Sequence, residues 1–133
     1  MDSSFSWPSL RAYIDELQHK EALHVDEVWE LPSSLRFVLL ECVLQQAGEL
    51  NSAHLEGIDT DLLNRRLDSL REIGELDWSP LLEPLISLES VLRRDPAEAY
   101  AKMNFESRDA YRKQIAEVAY YSECSEVEVA KHV

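Results

Sequence analysis

Apolar residues recur at a helical spacing along almost the entire chain of 133 residues. No segment of four or more residues alternates cleanly between apolar and polar side chains, and the three glycines provide few tight hairpin turns. The pattern therefore predicts an all-α fold, a compact bundle of six to eight short helices in a single domain over residues 1–133. One stripe at i, i+3, i+4 and i+7 consists of Leu10, Tyr13, Ile14 and Leu17.

Proline and glycine positions predict several of the helix boundaries. Residues 25–31 form one short helix in this interpretation, a second helix begins at Pro32, and Gly48 predicts where that helix stops. Ser79, which is followed by a proline, predicts the start of a further helix with a kink at Pro84.

Polar residues in the second half of the chain predict three N-caps. Asp95 and Glu98, with proline between them at the first helical position, have the form of a capping box. Asn104 can cap the next helix, and the sequence S-E-V-E at residues 125–128 is another capping box. Because the helix that it opens is cut off soon after it begins, we expect the natural chain to continue beyond Val133.

The chain is strongly acidic, with 26 Asp and Glu residues against 13 Lys and Arg residues. Nucleic acids and anionic membrane surfaces both require a positive field, so the sequence predicts neither as a partner. The longest apolar stretch covers residues 37–40, far short of the roughly 20 residues that a membrane-spanning helix needs. We therefore expect no membrane span in this chain.

No motif in the sequence predicts catalysis, a cofactor or a metal ion. None of the four histidines is paired with another ligand at the spacing of H-E-x-x-H, and no cluster of cysteine and histidine exists. The G-x-S-x-G motif of a nucleophile elbow is absent, and the 26 acids single out no catalytic pair. We predict no catalytic, cofactor-binding or metal-binding residue.

The tryptophans and tyrosines allow two interpretations. They could form a platform on which the apolar face of a sugar stacks, or they could fill the core. Trp29 and Trp78 keep the helical period and stand where the chain must turn, just before Pro32 and Pro80. We therefore favour the core and expect both side chains to be mostly buried.

The densest polar cluster contains Arg108, Asp109 and Arg112. The two arginines are neighbours at i and i+4, and Asp109 can reach Arg112 at i+3. One interpretation is a site for an anionic ligand. The other is a structural network that ties the turn at Asp95 to the following helix through arginine–carboxylate pairs. We favour the structural network, because neighbouring acids would already satisfy the arginines.

The same region carries a resemblance to a known family. Residues 92–112 read L-R-R-D-P-A-E-A-Y-A-K-M-N-F-E-S-R-D-A-Y-R. They resemble a segment of the cyclic β-1,2-glucan synthases that runs approximately L-R-x-D-P-A-G-x-Y-A-x-M-D-F-x-T-R-D-x-Y-R. Glu98 replaces the glycine of that segment, and Asn104 replaces an aspartate. Glutamate at this position predicts that no glycine conformation is needed there.

Two weaker matches lie upstream. The sequence E-V-W-E-L-P-S-S-L-R-F-V-L-L-E at residues 27–41 is similar to the E-L-W-x-x-P-x-x-L-R-x-x-L-I-E segment of the family. Ser69 to Arg71 and Leu76 to Trp78, with Glu83, Ser87 and Glu89 after them, resemble a further segment. The three matches together mark the following positions as structural motif residues: Trp29, Pro32, Arg36, Glu41, Asp77, Trp78, Asp95, Pro96, Tyr100, Arg108, Asp109, Tyr111 and Arg112.

The resemblance implies what the chain does. The synthases are very large bacterial inner-membrane proteins that join a transferase using UDP-glucose to a phosphorylase-like domain. The matching region precedes the transferase core, which implies a non-catalytic accessory segment, here a fragment of the larger protein. It would lie on the cytoplasmic side of the membrane, dock on other domains of the parent synthase and need no cofactor. The alternative function is a carbohydrate-binding module whose aromatic side chains hold β-glucan.

Overall fold

The computed structural model describes residues 5–52 and 60–133, and the regular secondary structure within them is entirely helical. The prediction of an all-α fold is confirmed, with eight α-helices and one 3₁₀ turn at Glu83–Leu85 among the described residues. No helix in these ranges is both long enough and apolar enough to cross a membrane. The helices are α1 (Trp7–Lys20), α2 (Val25–Ser52), α3 (Thr60–Glu75), α4 (Ser79–Leu82), α5 (Glu89–Leu92), α6 (Ala99–Lys102), α7 (Phe105–Ser122) and α8 (Glu126–Ala130).

Contacts group the chain into two compact units. The first unit contains Met1–Arg11 and Glu30–Trp78, and the second contains Ala12–Trp29 and Ser79–Val133. The organisation of residues 1–133 as one domain stays a prediction. Among the residues that the structure describes, nearly all of the buried apolar side chains belong to the second unit: Ile14, Val25, Val28, Leu82, Leu85, Ile86, Leu88, Leu92, Tyr100, Ile115, Ala119 and Ala130.

The first unit is organised around α3 and the aromatic residues near its end. Ser69 and Ile73 of α3 are buried, and the Ser69 hydroxyl accepts a hydrogen bond of 3.1 Å from the backbone N–H of Phe5. The Trp78 indole N–H donates to the carbonyl of Ile73 at 2.8 Å. Its ring centroid lies 5.9 Å from that of Phe5 and 6.0 Å from that of Trp7, both in edge-to-face geometry. Trp78 is therefore largely buried, as predicted, among aromatic rings.

The predicted helix boundary at Pro32 is wrong, because α2 runs without interruption from Val25 to Ser52. Proline lacks the N–H that would donate to the carbonyl four residues earlier, so the helix gives up one hydrogen bond there. Val25 and Val28, which precede the proline, are fully buried. Burial of these side chains holds the first turns in helical geometry despite the missing bond. Gly48, predicted as a stop, also lies inside this helix.

The predicted helix start at Ser79 is confirmed, but the prediction of a single helix with a kink at Pro84 is wrong. The segment is divided into α4, the 3₁₀ turn and α5, and Ile86 between them has an extended backbone with ψ of 119°. Pro84 cannot donate a helical hydrogen bond, and Leu85 and Ile86 are both buried in the core. The break also turns Glu83 and Glu89 toward the same place. Six residues apart on one continuous helix they would lie on different faces, since each residue advances the helix by about 100°.

N-caps predicted from the sequence are confirmed at two of three positions. The Asn104 side chain accepts from the N–H of Ser107 at 2.8 Å. Ser125 and Glu128 form the complete reciprocal capping box. At the third position the capping box is wrong: the Asp95 carboxylate accepts from the N–H groups of Ala97 (2.9 Å) and Ala99 (3.1 Å). It thereby folds the turn before α6.

Glu98, the residue before α6, has a left-handed backbone with φ of 52° and ψ of 22°. The prediction that glutamate removes the need for a glycine conformation at this position is therefore wrong. The Cβ atom of an L-residue is crowded in this region, which costs roughly 1–2 kcal/mol. The tight turn made by Asp95 imposes the conformation in spite of that cost. Glu123 after α7 has the same left-handed geometry, with φ of 57°.

Replacing Glu98 by glycine should stabilise the chain. Glycine reaches φ near 52° without crowding, and its greater freedom in the unfolded chain offsets only part of the gain, so we expect about 1 kcal/mol. The exposed Glu98–Lys102 ion pair of 3.8 Å that is lost contributes little. Urea unfolding monitored by circular dichroism measures the change.

Two further glycine variants serve as controls. Glu123→Gly should also stabilise, because the backbone there is left-handed. Glu117→Gly, in the interior of α7, should destabilise by about 1 kcal/mol. A loss of stability in Glu98→Gly equal to that in Glu117→Gly would contradict the left-handed assignment.

Candidate functional site

Arg112 of α7 is the centre of a buried ionic cluster in the second unit. Its side chain is 0% exposed. One terminal nitrogen, Nη1, donates to Glu83 Oε1 at 2.8 Å, to Glu89 Oε2 at 3.0 Å and to the Tyr100 hydroxyl at 3.0 Å. A buried guanidinium is tolerated only when it is paired and hydrogen-bonded, and two carboxylates provide that pairing.

Arg108 completes the cluster one helical turn earlier. It forms a bidentate salt bridge with Glu83, in which Nε donates to Oε1 at 2.7 Å and Nη2 donates to Oε2 at 3.0 Å. Its remaining terminal nitrogen donates to the carbonyl of Met103 before α7. The Tyr100 hydroxyl donates to Glu89 Oε2 at 2.6 Å. We refer to Glu83, Glu89, Tyr100, Arg108 and Arg112 as the arginine–glutamate cluster.

The cluster sets the protonation of its members. Burial alone would raise the pKa of Glu83, but hydrogen bonds from Arg108 and Arg112 and the charges of both arginines outweigh it, so the pKa is lowered from 4.5. Burial, together with the hydrogen bond to Glu89, raises the pKa of Tyr100. Glu83 is therefore an anion and Tyr100 a neutral donor at neutral pH.

Two aromatic rings also contact the Arg112 guanidinium. Its central carbon is 5.9 Å from the Trp29 ring centroid and 5.7 Å from that of Phe105, within the range of a cation–π contact. The two rings meet edge to face, with centroids 5.8 Å apart. Trp29 is thus largely buried, as predicted. The packing partners seen at its ring are Phe105 and Arg112.

The predicted arginine pair is brought together, but its main carboxylate partners come from elsewhere. Asp109 lies at the edge of the cluster, with Oδ1 3.6 Å from Arg112 Nη2 and Oδ2 2.8 Å from Lys113. The principal partners are Glu83 and Glu89, which are 29 and 23 residues before Arg112. Sequence spacing could not have assigned them to these arginines. The available signal was a pair of acids inside an otherwise apolar stretch.

The other motif residues fall into two groups. Asp95 and Pro96 form the turn before α6, and Tyr111 packs on Tyr100 with ring centroids 5.9 Å apart. The turn at Asp95 is thus folded by backbone hydrogen bonds and not by the predicted pairing with arginine. The remaining motif residues belong to the first unit: Pro32, Arg36, Glu41, Asp77 and Trp78.

A groove of about 670 Å³ lies along α7 in the second unit. Tyr120 and Tyr121 on its wall are 82% and 77% exposed. Their rings are close to perpendicular, at 84°, with centroids 5.3 Å apart. Asp26 and Glu117 are among the carboxylates that line it.

The arginine–glutamate cluster is arranged for packing. The side chains of Glu83 and Glu89 are only 11% and 6% exposed, and both carboxylates accept hydrogen bonds from within the cluster. Neither is free to act as a general base on an external substrate. Among the residues that the structure describes, no group of three or more His, Cys, Asp or Glu side chains could hold a metal ion.

Comparison with known proteins gives no relative. No protein-family model, no curated protein and no solved structure matches this chain.

Replacing Arg112 by methionine should destabilise the second unit by about 3–5 kcal/mol, because two buried carboxylates lose a cationic partner. Urea unfolding gives the change in free energy. Arg93→Met is the matched control, since Arg93 pairs with the same Glu89 at 2.7 Å but is 47% exposed. In that control the free energy of unfolding should fall by at most about 1 kcal/mol. Equal losses in the two variants would contradict the importance of burial.

The pH dependence of stability should reflect the lowered pKa of Glu83. A carboxyl group with a lowered folded-state pKa stabilises the fold above its unfolded value, near 4.5, and that contribution is lost as the pH falls through the folded pKa. Glu83→Gln should therefore reduce the acid-induced loss of stability below about pH 4.5. The urea midpoint measured across this range tests the effect.

Glu126 provides a control of opposite sign. Burial raises its pKa and outweighs the hydrogen bond from Val25 and the influence of His24. Between 4.5 and this higher folded pKa, stability falls as the pH rises. Glu126→Gln should therefore abolish the decrease in folding stability that the wild type shows as the pH rises through this range.

The prediction for Glu83 has a clear contradicting outcome. Identical pH profiles of stability for the wild type and Glu83→Gln would show that the fold does not lower the pKa of the Glu83 carboxyl group.

Proposed function

We propose that this chain is a non-catalytic accessory helical segment of a glycosyltransferase resembling the cyclic β-1,2-glucan synthases. The observation that carries the proposal is the arginine–glutamate cluster. The positions at which the chain resembles that family include Glu83, Glu89, Tyr100, Arg108 and Arg112, and these five side chains bind one another. Residues that are used for internal packing support a structural role in the parent protein.

The backbone at Glu98 gives independent support to the resemblance. The family has a glycine at this position, and glycine is the residue that adopts positive φ without strain. Glu98 has φ of 52°. The local fold of residues 95–99 therefore suits the glycine of the family pattern, although this chain carries another residue.

The proposed role is to dock on other domains of the parent synthase at the cytoplasmic side of the bacterial inner membrane. Transfer from UDP-glucose then belongs to the parent. Exposed apolar side chains on α2 offer a surface for such packing: Phe37, Val38, Leu40 and Leu44.

Carbohydrate binding is the second candidate function, and the groove beside α7 is the observation that favours it. Exposed tyrosines next to carboxylates can hold a sugar, since a ring stacks on its apolar face while carboxylates accept from its hydroxyls. The perpendicular rings of Tyr120 and Tyr121 limit flat stacking to one of the pair. The three tryptophans are largely buried. Carbohydrate binding in the groove is therefore less well supported than the structural role.

The isolated chain should neither transfer glucose from UDP-glucose nor hydrolyse β-1,2-glucan. The reason is that the buried glutamates are occupied by arginines and that no catalytic motif is present in the sequence. Chromatography of reaction products after incubation measures both reactions. Turnover above buffer that is abolished by a point substitution in this chain would overturn the accessory role.

Calorimetry with β-1,2-glucan separates the two candidates. The structural role predicts no saturable heat of binding. Saturable binding that is lost in Tyr120→Ala/Tyr121→Ala, and kept in the control Tyr13→Ala, which is not among the residues lining the groove, would replace the first candidate with the second. Tyr13 is a fair control because it too is exposed, at 64%.

Glucan synthesis in the cell tests the structural role directly. Membranes from a strain in which the coding sequence of this chain is deleted should make less cyclic β-1,2-glucan from UDP-glucose. Re-expression of the wild type should restore synthesis, whereas Arg112→Met should restore less than the exposed control Arg93→Met. Unchanged synthesis in the deletion strain would contradict the proposal.

A further inference from the structure

One face of α2 carries a stripe of large apolar side chains that the chain itself leaves uncovered. Phe37, Leu40 and Leu44 are 62%, 44% and 61% exposed. Their spacing of three and then four residues is that of the a and d positions of a heptad, with Phe37 at a. The three side chains therefore follow one line along the helix, as the residues of a coiled-coil seam do. We call them the α2 stripe.

The α2 stripe lies opposite the face by which this helix packs within its own unit. Leu35, Leu39 and Gln46 are half-buried, and at about 100° per residue they lie more than about 120° around the helix from Phe37. Arg66 of α3 covers that inner face, since it donates to the carbonyl of Cys42 at 3.3 Å and to the Gln46 side chain at 2.9 Å. A helix with two opposite apolar faces has room for two partners, and α3 occupies only one of them.

Two charged residues border the α2 stripe on opposite sides. Arg36 stands at the g position before Phe37, and Glu41 stands at the e position after it. Each is displaced by about 70° from the line of the stripe, in opposite directions. Both side chains are exposed, and within residues 5–52 and 60–133 neither forms an ion pair. Each charge is therefore available to a partner.

The positions of these two charges select the partner and its orientation. In a parallel pair of identical helices, a g residue of one helix faces the e residue five positions later on the other. Arg36 of each copy would then face Glu41 of the other, which gives two ion pairs. In an antiparallel pair identical flanks meet, so arginine would face arginine and glutamate would face glutamate, and both contacts repel.

We infer that the α2 stripe is an interface with a second copy of the chain, in which two α2 helices pair in parallel about a two-fold axis. Phe37, Leu40 and Leu44 each meet the same residue of the other copy, as an isologous interface requires. Glu30 stands one heptad before Phe37, so the apolar seam is short and the dimer should be weak and dissociate on dilution. The inference rests on that part of the proposed function which makes this face of α2 a packing surface, and it names the partner.

Sedimentation equilibrium of the full chain at increasing concentration measures the association. The mass should rise from 15.3 kDa toward twice that value. Two copies that each carry −13 repel one another, so the buffer contains about 0.15 M salt, which screens charges farther apart than roughly 8 Å. A mass that stays at 15.3 kDa would overturn the inference. It would leave the α2 stripe to another domain of the parent, so the proposed function would stand.

A matched pair of substitutions at adjacent positions locates the interface. Phe37 and Val38 are 62% and 55% exposed, but Val38 occupies a b position outside the seam. Phe37→Glu should raise the dissociation constant of the dimer about tenfold or more, because the seam would bury a charge without a partner. Val38→Glu adds the same charge and should change it less than about twofold. Equal weakening in the two variants, with circular dichroism spectra like that of the wild type, would contradict the interface.

Charge reversal tests the parallel orientation. Arg36→Glu and Glu41→Arg should each weaken the dimer, since each places like charges face to face, and Arg36→Glu/Glu41→Arg should restore it. Net charge alone predicts a different result, because Glu41→Arg makes the chain less acidic and would then strengthen association. An antiparallel pair predicts that neither single reversal weakens the dimer, because each would only exchange one repulsive contact for another. Either of these two results would overturn the parallel pairing.

Discussion

The neutralisation of a fully buried guanidinium, that of Arg112, is the constraint on which the second unit depends. A charge without access to water requires opposite charges at hydrogen-bond distance, and here they must come from a distant part of the chain. Glu83 and Glu89 can both reach Arg112 only because the helix is broken at Pro84. The ionic cluster therefore requires the interrupted helical segment of residues 79–92.

A second long-range contact supports the start of α2. The backbone N–H of Val25 donates to the Glu126 carboxylate, at 3.1 Å to Oε2, although the two residues are 101 positions apart. His24 at the N-cap lies 3.4 Å from the same carboxylate, and its own N–H donates to Glu27 at 2.8 Å. A histidine is a poor N-cap, so the carboxylate from α8 supplies the acceptor that a serine or threonine would have provided. The first turns of α2 thus depend on the last helix, as they also depend on the burial of Val28.

Features that local chemistry decides could be predicted from the sequence. Helical periodicity gave the fold class, and the caps at Asn104 and Ser125 follow from side chains acting within one turn. Local rules failed where a distant contact or a neighbouring turn outweighed them. Burial of the residues before Pro32 kept a helix that proline alone would end, and the turn at Asp95 forced Glu98 into a conformation that glutamate disfavours. The arginine pair was predictable from its own helix, whereas its glutamate partners required the tertiary fold.

A double-mutant cycle on Glu83 and Arg108 tests the central claim, that the side chains of the arginine–glutamate cluster stabilise the second unit together. Both side chains are largely buried and make a two-pronged contact of 2.7 and 3.0 Å. The free energies of unfolding of Glu83→Gln, Arg108→Gln and the double variant should show a coupling of about 1–3 kcal/mol. The exposed pair Asp68 and Arg71, 3.7 Å apart, should show almost none. Additivity of the Glu83 and Arg108 changes to within about 0.5 kcal/mol would contradict the claim.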